Sequence, residues 1–87
     1  MKPGQDLVEK GMADLASGRE TVESLLVRVG GPRLRKLGFD IPPYTGELPE
    51  HQLYKLLAAD DQDTAHSRYN ALIRRLVSFE RAAECGI

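Results

Sequence analysis

Cysteine is almost missing from this chain. Cys85 is the single one, so no disulfide can form within it, and a reducing cytoplasm is the expected setting. No apolar run approaches the roughly 18 residues of a membrane span, and Met1–Asp6 has no hydrophobic stretch of the kind a secretory signal needs. Membrane association is therefore not expected. A strong charge of one sign is also missing: the net charge of −1 argues against a surface built throughout for nucleic acid. There is no internal repeat and no low-complexity segment. The 87 residues, 41% hydrophobic and 29% charged, suit one globular domain, residues 1–87, rather than a disordered chain.

What the chain does have is a long amphipathic stretch from Asp63 to Glu84. Ala65, Tyr69, Leu72, Leu76, Phe79 and Ala83 recur at alternating spacings of four and three, which keeps one face of an α-helix apolar and which no strand reproduces. At about 1.5 Å per residue it would run on the order of 33 Å. With Ile73 and Val77 added, the apolar arc widens to roughly 160°, more than a two-stranded seam requires, so more than one neighbour should flank this helix. Glu80 falls inside that arc. A carboxylate there either reaches an edge or meets a cation from another segment, and an ion pair within a core or interface is the expected arrangement.

The preceding residues read as the groove for that helix. Leu7, Val8, Met12 and Leu15 predict a first helix over 5–17, with Gly11 marking close approach of another helix. Gly18 suits a left-handed helix stop; Ser17 with Glu20, or Thr21, offers the next N-cap. Val22, Leu25, Leu26 and Val29 predict a second helix over 21–29, closed by Gly30-Gly31. Pro32–Leu37 is a short third helix stopped by Gly38, with Leu34, Leu37 and Phe39 packing inward. The prolines of Asp40–Leu48 impose an extended loop, pinned by Ile41 and Tyr44. Pro49 opens a fourth helix over 49–59 with Leu53, Leu56 and Leu57 on one face, and Asp61, Asp63 or Thr64 is placed to cap the last one.

Charge alternates along the chain in blocks. Residues 27–38 carry Arg28, Arg33, Arg35 and Lys36 with no acid, while residues 39–67 carry Lys55 against six carboxylates. Such blocks can face one another within the fold or across a dimer. The basic cluster, joined by Arg74, Arg75 and Arg81, could also contact phosphates, and helix–turn–basic helix resembles a helix-turn-helix layout. The third helix is nevertheless too short, and it lacks the Asn, Gln and Ser readers of base edges.

His66, Tyr69 and Asn70 can touch on one side of the last helix, and a catalytic reading would make His66 a general base oriented by Asn70. No nucleophile stands at a recognisable spacing, so a hydrogen-bonded helix start is the plainer interpretation. Asp60, Asp61, Asp63 and His66 fail the calcium-loop pattern, and Cys85, His51 and His66 lack zinc spacing. No metal, no cofactor and no enzymatic activity are expected.

These features predict an all-α bundle of four to five helices with a long C-terminal helix. They favour a small protein-interaction module, a homodimer or an accessory subunit, with Ile73, Val77 and Glu80 at its interface. Nucleic-acid binding through Arg28, Arg33, Arg35, Lys36, Arg74 and Arg75 is the alternative.

Overall fold

Among the described residues five helices form where the apolar spacing and the Pro and Gly signals predict them: α1 Gln5–Ala16, α2 Val22–Val29, α3 Gly31–Lys36, α4 Pro49–Asp60 and α5 Ala65–Glu84. The computed structural model describes residues 3–42 and 48–85, and among these there is no strand. The architecture is an all-α bundle. Gly18 and Gly38 end α1 and α3 with φ of 74° and 101°, a backbone that side-chain-bearing residues rarely adopt. Pro49 sits in the first turn of α4, where its missing N–H is no loss.

The longest helix is not the central one. Short α2 contacts each of the other four helices, and its consecutive residues Ser24, Leu25, Leu26 and Val27 are all buried. Burial around the whole circumference is the mark of a core helix. In α5, by contrast, Leu76 and Phe79 are buried while Arg74, Arg75 and Ser78 face water. Its face follows the predicted line, but it lies along the bundle instead of at its centre. Val8, Leu34, Leu53, Leu57 and Ala65 complete the core, so every helix contributes to one cluster.

Gly11 is where α1 crosses α2. A Cβ there would stand 2.4 Å from both the Glu23 carbonyl oxygen and Val27 Cγ2, closer than atoms can approach. Just beyond, Thr21 caps α2 through a reciprocal pair: Ser24 N–H donates to Thr21 Oγ1 at 3.2 Å and Thr21 N–H donates to Ser24 Oγ at 2.8 Å. The Ser17–Glu20 alternative is not used, because α1 and its C-terminal turn extend over Ser17 and Gly18. Thr21 Oγ1 also donates to Asp14 at 2.6 Å, and Lys10 donates to the same carboxylate at 2.8 Å. Asp14 is thereby held below the usual carboxylate range, first by Lys10 and then by Thr21.

Two further expectations are corrected. Leu56 is 38% exposed while Leu53 and Leu57 are fully buried, since α4 turns a narrow stripe inward and Leu56 falls on its flank. The α5 N-terminus has no side-chain cap: Thr64 occupies the position with helical dihedrals, and helix begins at Ala65. Asp61 instead accepts from Asp63 N–H at 3.1 Å, fastening the turn rather than the helix. Ile41 does pin its loop, at 3% exposure. Arg35 holds the same stretch by donating to the carbonyls of Ile41 and Pro42. The role expected of Tyr44 lies outside the described residues.

Candidate functional site: an apolar groove beside an ion pair

Helix α1 presents Gln5, Val8, Glu9 and Met12 at helical spacing, so the four share one stripe. Opposite stand Leu37 and Phe39, which leave α3, and Phe79 and Ala83, one turn apart on α5. Together these eight side chains line a groove of about 530 Å³, open to solvent. Phe39 and Phe79 meet edge to face with centroids 5.6 Å apart, a favoured aromatic geometry that fixes both rings. Val8 and Phe79 are buried, whereas Met12, Leu37, Phe39 and Ala83 stay partly open. The polar groups sit on one rim, where Gln5 Nε2 donates to Glu9 Oε1 at 2.7 Å.

The α5 wall is held by the residues that follow the groove liners. Glu80 and Glu84, next after Phe79 and Ala83, both face Arg33 of α3. Arg33 Nε donates to Glu84 Oε1 at 2.6 Å, and Arg33 Nη1 lies 3.5 Å from Glu80 Oε1. Glu80 packs against Gly30, where a Cβ would come 3.0 Å from Glu80 Oε2. Burial pushes the Glu80 carboxyl up; Arg33 opposes the shift and Glu84 adds to it. The hydrogen bond from Arg33 holds Glu84 below the ordinary value. The cation expected to meet Glu80 is therefore Arg33, from within the chain.

Of the residues singled out from sequence, the structure brings Arg33 and Glu80 together. Ile73 is half-buried and packs on the core, Val77 is half-buried, and Glu80 is 4% exposed inside the fold. Of the basic residues, Arg33 holds two carboxylates, Arg35 holds two backbone carbonyls, and Arg75 donates to both oxygens of Asp6 at 3.0 and 3.2 Å. Those partners lie on α5, on the loop after α3 and on α1. Arg28 is half-buried, and Lys36 and Arg74 are exposed.

His66 lies at an exposed site with Asn70 Nδ2 3.2 Å from its Nε2. Its ring tilts against Tyr54, which in turn tilts against Tyr69. No hydroxyl or carboxylate joins His66 among the described residues. Among those residues, too, no three metal-ligating side chains converge, and no helix is long and apolar enough to cross a membrane.

The sequence pattern contained most liners of the groove without the groove itself. Val8, Met12, Phe79 and Ala83 lie on apolar faces, and Leu37 and Phe39 carry the expectation of packing inward. What brings them around an opening is the lateral placement of α1, α3 and α5, for which periodicity carries no signal. Gln5 and Glu9 had none either. No family model, curated protein or solved structure matches the chain.

Proposed function

We propose that this chain is a non-enzymatic protein-interaction module that receives its partner in the groove between α1, Leu37–Phe39 and the C-terminal half of α5. The observation that carries this reading is the partial exposure of Met12, Leu37, Phe39 and Ala83 around one cavity. Contiguous apolar surface left open in so small a fold marks a place where something docks. Methionine suits such a surface because its flexible thioether refits to different partners. The rigid Phe39–Phe79 pair gives the wall a fixed shape, and the Arg33 clamp behind it keeps α5 in place.

Nucleic-acid binding draws less support. Arg33, Arg35 and Arg75 already bond within the chain, so part of their charge and donor capacity is engaged before any phosphate arrives.

A photo-reactive residue introduced at Met12, with one at Leu56 as control, tests the proposal on partners that co-purify with the native chain. Crosslinking from Met12 and not from Leu56 is expected. A partner that crosslinks only from the Leu56 side would overturn this reading.

A further inference from the structure

Resting on the interaction reading above, we infer that the occupant of the groove is an amphipathic helix of another protein, carrying a lysine or arginine that meets Glu9. The walls of the groove are helix faces and side chains, and the backbones of α1 and α5 are hydrogen-bonded within their helices. An extended peptide would find no sheet edge to pair with, so strand addition has no purchase here. From Gln5 to Met12 the α1 stripe spans i to i+7, about 10 Å of helix axis. That is the reach of apolar anchors at i, i+3 or i+4, and i+7 on an incoming helix.

Charge complementarity sets the polar part. Most carboxylates around this region have a cationic partner: Asp6 has Arg75, Asp14 has Lys10, and Glu80 and Glu84 share Arg33. Glu9 is exposed and has no ion pair among the described residues, and Gln5 orients its carboxylate at the rim. An anion brought to that rim would be repelled, and a cation would be attracted and placed in register.

A second copy of the chain does not supply such a helix. The large apolar side chains of α1, α2, α3 and α5 are buried in the core or packed against it, Val77 excepted. Among the described residues the exposed large apolar ones are Leu48, at the α4 N-cap, and Tyr54 and Leu56 on α4; Tyr54 and Leu56 fall about 160° apart around their helix and share no stripe.

The test is selection on the full chain from a library of helical peptides of about 15 residues, randomised on one face. Enriched peptides are expected to carry the i, i+3/i+4, i+7 apolar pattern with a flanking Lys or Arg, and to lose binding to Ala83→Arg. Met12→Lys is the second groove variant, and retained helicity is checked by circular dichroism for both. Glu9→Lys should weaken these peptides by about 3- to 10-fold, and a Lys→Glu change in the peptide should restore affinity for Glu9→Lys. Peptides that need the groove but show no preference for a cation, and no response at Glu9, would overturn the inference while leaving the interaction reading standing. Peptides that bind regardless of both groove variants would overturn both. If no helix is enriched but the apolar dye anilinonaphthalene sulfonate binds in an Ala83-dependent way, the groove takes small apolar molecules and both readings fall.

Discussion

Glu80 of α5 is 4% exposed and its Oε1 stands 3.5 Å from Arg33 Nη1, so a carboxylate in the apolar arc of one helix is matched by a guanidinium from another. Arg33 is itself shared, with a shorter bond to Glu84. Glu80 is the buried member of this pair and Arg33 the half-exposed one; removing Arg33 is more harmful than neutralising Glu80, because it strands the buried charge without its partner. Arg33→Ala is therefore expected to lower the melting temperature more than Glu80→Gln does, with Arg33→Lys intermediate because it keeps the charge without the fork. Thermal unfolding of the three variants at one pH checks the order. A Glu80→Gln variant less stable than Arg33→Ala would assign Glu80 a role beyond the pair.

The same groups give stability a pH dependence of two signs. Glu80, pushed up by burial, contributes stability that is present below its ordinary value and lost as pH rises through its raised folded value. Asp14 and Glu84, held down by hydrogen bonds from Lys10 and Arg33, contribute stability that is present above their ordinary values and lost as pH falls through their depressed ones. Glu80→Gln should thus flatten the decline on the rising side, and Asp14→Asn should flatten the loss toward acid. Urea unfolding from about pH 2 to pH 8 reads both slopes. Unchanged slopes in either variant would remove that residue from the account.

Gly11→Ala sets two effects against each other. Alanine gains about 1 kcal/mol of helix propensity over glycine. The added Cβ, however, would stand 2.4 Å from the Glu23 carbonyl oxygen, and backbone cannot yield as a flexible side chain does. Forcing α1 and α2 apart costs about 1–3 kcal/mol, so net destabilisation is expected in chemical denaturation. A stabilised variant would mean the two helices are not this close in solution.

Leu76 and Leu56 form a contrast that tests helix orientation. Leu76 is 3% exposed and Leu56 38%. Leu76→Ala should cost about 2–5 kcal/mol, whereas Leu56→Ala should stay within about 0.5 kcal/mol. Equal losses would show that α4 is rotated from the orientation described.

How far the chain could be read in advance follows from which forces are local. Gly18, Gly38 and Pro49 act within a turn, so they mark helix ends before any packing is known. The place of Glu80 in an apolar arc is fixed by helix geometry, and it left either an edge or a cation from elsewhere, with the cation the expected arrangement. Which cation, Arg33, depended on how α3 lies against α5. The central position of α2 was hidden for a related reason: eight residues bear too few apolar spacings to signal burial all round, and the longer α5 has the more conspicuous pattern. Leu56 misled because three leucines within five residues look like one face, while α4 buries only Leu53 and Leu57. The groove depends wholly on lateral packing, and no single helix contains it.

The edge of α5 that periodicity marks for self-association now separates into two unlike residues. Ile73 packs on the core, while Val77 is half-buried and lies outside that cluster. Aspartate at position 73 would have to be desolvated inside the monomer, so Ile73→Asp is expected to cost about 1–3 kcal/mol. Val77→Asp should cost less, because its carboxylate can turn to water. If Ile73 belongs to the monomer alone, the loss is the same at low and high protein concentration. An interface between copies would make the stability of the wild type rise with concentration, and that of the variant would not. Urea unfolding at two concentrations about 50-fold apart, alongside sedimentation of the wild type, distinguishes these outcomes. Concentration-independent loss at Ile73 leaves the groove, rather than this edge, as the surface open to a partner.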